Sequence, residues 1–113
     1  MRFDVVTLFP ELIEAWTVPG LLGKAVADGK LQVRCRSPRD FATDKHRSVD
    51  DAPYGGGSGM VMSAPPLVGA IEALDEQARE EGQPRARRIL LSPQGTPFAQ
   101  ADALRLSERL EAG

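Results

Sequence analysis

Three stretches of this chain have the residue types and spacing to do chemistry. Residues 44–51 read DKHRSVDD and set the one histidine, His46, among Asp44, Asp50 and Asp51. Residues 53–60 read PYGGGSGM, with Gly55, Gly56, Gly57 and Gly59 crowded beside Tyr54. Residues 90–98 read LLSPQGTPF and end an apolar run on a proline-glutamine-glycine bend. A single histidine with carboxylates at irregular loop spacing is a weak metal pattern, because zinc usually takes more nitrogen or sulfur ligands. A solvated loop accounts for it as well, and Asp50 and Asp51 could equally cap or turn the backbone. No metal site is therefore assigned, and no Ser/His/Asp or Cys/His nucleophile can be assembled.

The glycine run asks for a ligand or a close neighbour. Glycine loses more conformational freedom on folding than any other residue, so a run of it is kept where the backbone needs positive φ or a very close approach. A phosphate cradle is excluded on pattern: no Gly-Lys-Ser/Thr follows, the glycines miss the dinucleotide spacing, and the strand comes after them rather than before. A backbone lying flat against a ligand, a nucleobase or a neighbouring subunit remains, beside a tight structural turn. The bend at 92–95 sits where α/β folds bind ligands, at the carboxyl end of a strand. Pro93 and Gly95 make it rigid, and the Gln94 amide can both donate and accept, which suits the edge of an adenine. A plain strand-to-helix connection would look similar.

The elements that must position these stretches alternate along the chain. FDVVTLF (3–9) reads as an interior strand, apolar on both faces apart from Asp4 and Thr7, and Pro10 ends it. A short helix over 11–16 and a second from Pro19, stopped by Gly29, follow. LQVRCRS (31–37) alternates, with Leu31, Val33 and Cys35 on one face and Gln32, Arg34 and Arg36 on the other, so one face is wet or meets an anion. Residues 38–59 carry no period and read as a long, hence functional, loop. GMVMS (59–63) is a short strand, and Pro65-Pro66 open a helix with Leu67, Ile71, Leu74 and Ala78 on one stripe and Gly82 as its stop. ARRILLS (86–92) reads as a buried strand, and Thr96-Pro97 as the start of a last helix through Ala99, Ala103, Leu106 and Leu110. The sum is an α/β domain with a mainly parallel sheet flanked by helices.

Composition limits the partners. At 113 residues the chain is one domain at most, with no apolar run long enough to span a bilayer and no secretory signal. A single cysteine, Cys35, rules out an internal disulfide and fits the reducing cytoplasm. The net charge of -2 is not that of a nucleic-acid binder, but the distribution is uneven. Between 30 and 47 six cations (Lys30, Arg34, Arg36, Arg39, Lys45, Arg47) face two acids, Asp40 and Asp44. Arg85, Arg87 and Arg88 form a second group. The last helix follows a strand without leading to another, so the chain reads as the N-terminal portion of something longer.

Taken in order, VVTLFPEL (5–12), PRDFATDKHRSVDDAPYGGGSGMVM (38–62) and LLSPQGTPF (90–98) resemble the bacterial tRNA (guanine-N1)-methyltransferases, the TrmD family of the knotted SPOUT class. The likeness runs through essentially the whole chain. It departs at Ser63, where many relatives are expected to carry a lysine.

The resemblance implies a homodimeric cytoplasmic enzyme, with no membrane or DNA partner. It would move a methyl group from S-adenosylmethionine to N1 of the guanosine 3′ of the anticodon, position 37 of tRNA. Residues 1–113 would be the incomplete N-terminal part of a SPOUT domain, with the trefoil knot and an aspartate base lying beyond. Leu90, Leu91, Ser92, Pro93, Gln94 and Gly95 would lie against the cofactor nucleoside. Arg39, His46, Asp50, Tyr54, Gly55, Gly56, Gly57 and Gly59 would line the RNA side, and no catalytic residue would fall within the chain. Two other classes stay open: a non-catalytic RNA-binding or dimerisation module, and a nucleotide-binding domain of another α/β enzyme.

Overall fold

The computed structural model describes residues 1–51 and 61–111. Two parallel strands, β1 (Arg2–Val6) and β2 (Gln32–Arg36), pair in register from Arg2 opposite Gln32 to Val6 opposite Arg36. The crossover between them holds α1 (Pro10–Trp16) and α2 (Gly20–Ala27). Pro10 therefore does more than end a strand: it takes the first turn of α1, where its missing N–H costs nothing. α2 ends as expected at Gly29, whose φ of 72° lets the Gly29 and Lys30 amides bond back to Val26 (3.1 Å) and Ala25 (2.9 Å). Gly23 is needed for a different reason, since a Cβ there would lie 1.9 Å from the Val18 carbonyl oxygen.

Beyond β2 the chain makes a 3-10 turn, Pro38–Phe41, then a small antiparallel hairpin of β3 (Asp50–Asp51) and β4 (Val61–Met62). The aperiodic stretch is thus not one open loop, because turn and hairpin are built from local hydrogen bonds that leave no period. α3 (Ala64–Glu80) follows, and it lies on the sheet and on the 3-10 turn. Its buried row is Pro66, Ala70, Leu74 and Ala78, whereas Leu67 and Ile71 are only half-buried. Small residues form that seam because they let the turn and strands approach closely. Gly82, φ 69°, closes α3 with the same double bond-back found after α2.

The strand expected at 86–92 does not form. Ile89, Leu90 and Leu91 are 61%, 85% and 90% exposed, and 85–92 has no regular structure. A strand exists only through a paired neighbour, and here Arg85 and Arg88 instead engage Asp75 on the flank of α3 at 3.3 and 2.6 Å. α4 (Gln100–Glu111) also starts later than Thr96 suggested. Its first turn is held by Asp102, which accepts from the Ala99 amide at 2.8 Å, half of a capping box. That bond, with help from Arg105, holds the Asp102 carboxyl below its ordinary range. The radius of gyration, 16.1 Å, exceeds the roughly 13 Å of a closed domain this long, and the continuous exposure of 88–100 accords with that. Among the described residues no helix is long and apolar enough to cross a membrane.

Candidate functional site

The residues expected on an RNA side, where the structure describes them, rest on a rigid base. Ser37 is buried, and its hydroxyl accepts from the Arg39 amide at 3.2 Å, capping the turn that Pro38 opens. Phe41 at the end of that turn lies against Gly69 of α3, where an added Cβ would meet Phe41 Cβ at 2.9 Å. Val49, 1% exposed, pins the far side, and its carbonyl accepts from the Ser63 amide at 2.5 Å. Sequence reasoning passed over Phe41, Val49 and Gly69. A glycine inside a helical pattern, which costs about 1 kcal/mol against alanine, was the available signal.

Between these anchors the chain turns at Asp44–Arg47, with the Arg47 amide bonded to the Asp44 carbonyl at 3.1 Å and Arg47 at φ 50°. The Asp44 carboxylate accepts from Ser48, 2.7 Å at the amide, and these bonds hold it below the usual carboxylate range. His46 is exposed at the tip of the turn. Arg39 is exposed, and its guanidinium reaches back to the Arg47 carbonyl at 3.4 Å. Asp50 is exposed on β3, opposite Met62. A cleft of ≈ 230 Å³ runs between this loop and the start of α3, and Asp44, Ser48, Asp50 and Ser63 are on its walls. Ser63 puts a neutral hydroxyl on that wall, so position 63 sets no cation against those two acids. Tyr54, Gly55, Gly56, Gly57 and Gly59 lie outside the described residues.

The basic excess between 30 and 47 needs correcting. Arg34 and Arg36 are not available to a nucleic acid, because they are spent inside the fold: Arg34 on Asp4 (2.9 and 3.3 Å) and Glu81 (2.9 Å), Arg36 on Gln77 (2.8 Å). The polar face of β2 does meet an anion, but the anion belongs to the same chain. Arg39, Lys45 and Arg47 remain exposed on the loop, against Asp40 and Asp44.

We expect Gly69→Ala to separate anchoring from helix propensity. Propensity alone favours alanine by up to about 1 kcal/mol, while overlap with Phe41 Cβ, which is tied to the backbone, forces the turn outward at about 1–3 kcal/mol. The net is a loss of about 1 kcal/mol in urea denaturation, with faster amide exchange over 38–51. A variant as stable as its parent or more so would show that the turn does not depend on this contact.

Leu90, Leu91, Ser92, Pro93, Gln94 and Gly95, the residues expected against a nucleoside, are all exposed. Ser92–Gly95 forms a tight turn, in which the Gly95 amide donates to the Ser92 carbonyl at 3.0 Å and the Gln94 amide to the Ser92 hydroxyl at 3.2 Å. Pro93 has no N–H, and the amides of Gln94 and Gly95 are both occupied within the bend, so the exposed Gln94 side chain is the polar group it presents, next to the uncovered apolar pair Leu90-Leu91. The structure brings residues together within each half of the site, but the halves leave α3 from opposite ends of a helix about 25 Å long. The 38–51 stretch packs near its start, and the 85–95 segment departs from its finish.

The family model described as tRNA (Guanine-1)-methyltransferase TrmD matches residues 1–111. A tRNA (guanine-N(1)-)-methyltransferase of Sorangium cellulosum is 52% identical over 125 residues, spanning 96% of this chain and 47% of the relative. Enzymes of that name from Burkholderia cenocepacia and Methylococcus capsulatus are 47% and 50% identical, each covered over 41% of its length. The crystal structure of tRNA (m1G37) methyltransferase from Aquifex aeolicus superposes with a TM-score of 0.57 at 33% identity, over 72% of this chain and 34% of that one. The chain thus spans less than half the length of the curated relatives it matches.

Proposed function

Because the chain belongs to the tRNA (guanine-1)-methyltransferase TrmD family, we propose that it contributes two parts of the site of an S-adenosylmethionine-dependent enzyme acting on N1 of guanosine 37 in tRNA. The observation that carries this reading is the Leu90–Gly95 segment, two uncovered leucines running into a rigid turn with a free-standing amide side chain. An adenine nucleoside has apolar faces and a polar edge, and these residues fit both: Leu90 and Leu91 offer apolar contact, and Gln94 can pair with the edge. When bound, S-adenosylmethionine supplies a methyl group made electrophilic by the sulfonium.

The chain's own residues do the holding. The capped turn at 37–41 and the Val49–Ser63 bond fix the loop that carries Arg39, His46 and Asp50, which line the RNA side together with Tyr54 and the glycines. Arg39, Lys45 and Arg47 favour a phosphate backbone, with the salt dependence that implies. N1 of guanine carries a proton at neutral pH, so a base must take it. That base is an aspartate outside these residues, and the work is shared by two subunits in the cytoplasm, where tRNA is the partner.

The test is methyl transfer to a tRNA transcript carrying guanosine at 36 and 37, run with the intact protein and with residues 1–113 alone. Turnover by the intact protein and none by the shorter piece is expected. Turnover by the piece would refute the division of labour. Salt-sensitive tRNA binding by an intact protein that never binds cofactor would mark a non-catalytic RNA module instead.

A further inference from the structure

Three arginines on one face of the sheet grip the exit of α3. Arg36 donates to Gln77 and Arg34 to Glu81, both in the last turns of the helix or at its cap. Arg2 reaches furthest, donating to the side-chain oxygen of Gln83 and, at 3.0 Å, to the carbonyl of Pro84. Its own orientation is set by Asp4, 3.1 Å from Arg2 Nε, and its side chain is only 13% exposed. The planar fork of one guanidinium thus binds the strand on one edge and the departing chain on the other. Gly82 fixes the backbone at the same point, and Pro84 removes a further degree of freedom at φ.

What departs there is the segment that ends in Leu90–Gly95. With no ladder to hold 85–92, its root is the position that decides where the nucleoside residues are presented, and surface ion pairs from Arg85 and Arg88 are weak restraints. We propose that Arg2 is a positioning residue for the cofactor segment: through Gln83 and Pro84 it sets the starting point from which Leu90–Gly95 reaches the nucleoside. This rests on the methyltransferase reading above and adds a residue at the opposite end of the sequence from the motif it serves.

The test uses the intact protein and two substitutions. Arg2→Met removes both tether bonds and one partner of Asp4, whereas Gln83→Leu removes the side-chain bond alone, leaving Arg2 on the Pro84 carbonyl and Arg2, Asp4 and Arg34 paired. Arg2→Met should weaken S-adenosylhomocysteine binding in calorimetry by about tenfold, the cost of ordering a segment no longer held in place, and Gln83→Leu by about threefold, since the Pro84 bond remains. tRNA affinity should stay within about twofold in both, and the double variant should lose little more than Arg2→Met alone. Amide exchange should rise over 85–92 while α3 keeps its protection, a local change that a general loss of stability would not give. Parent-like cofactor affinity in both variants, or unchanged exchange over 85–92, overturns the proposal. If the unsubstituted protein does not bind S-adenosylhomocysteine, the methyltransferase reading fails, and the exchange measurement still decides whether Arg2 anchors the segment.

Discussion

Asp4→Ala should lower the unfolding free energy by roughly 3 kcal/mol, the low end of what breaking a buried ion pair costs. Asp4 and Arg34 are each 8% exposed at the side chain, and the carboxylate takes two hydrogen bonds from Arg34 and forms an ion pair with Arg2 at 3.1 Å. Its removal strands a guanidinium that cannot escape by losing its proton, and whose pKa the Asp4 hydrogen bond raises further. Glu81, more than a third exposed, is a partial substitute, which is why the low end applies. Asp4→Leu combined with Arg34→Met should recover most of the loss, since a well-packed apolar pair often equals a buried ionic one. Urea midpoints at constant slope measure both. A single-site loss under about 1 kcal/mol would mean that water already shares this network.

On the proposed function, Leu91→Asp should leave stability within about 0.5 kcal/mol and reduce S-adenosylhomocysteine affinity on the order of a hundredfold. The first half follows from exposure: a side chain 90% open to solvent has no core contacts to lose. The second follows from desolvation, because a carboxylate pressed against a nucleobase gives up water without gaining a partner. Thermal melting and calorimetry with S-adenosylhomocysteine read the two halves separately. Unchanged affinity would remove Leu91 from the site. A large drop in melting temperature would mean that Leu91 is packed against the rest of the protein in solution.

Local signals in the chain were largely sufficient for helices and their ends. Pro10, Gly29 and Gly82 act through their own φ and missing or permissive groups, so their effect does not wait for a tertiary partner. The two central strands were also readable, because a run of β-formers bounded by proline or glycine has few other uses. The 86–92 run shows where that logic stops. Its composition is that of a buried strand, yet a ladder needs a neighbour, and periodicity does not say whether one is present.

The family and its motifs belong to the primary structure, where the spacing from PRDFATDKH to GGGSGM and on to SPQG is a property of residue order alone. Which charges are free to meet RNA was decided in three dimensions. Arg34 and Arg39 look alike on the page, but register places Arg34 opposite Asp4 and under α3, while the capped turn carries Arg39 out to solvent. The reason is physical: a charge is spent or available according to what lies within a few ångströms of it, and residues thirty or eighty places apart become neighbours only when strands pair and a helix is laid across them.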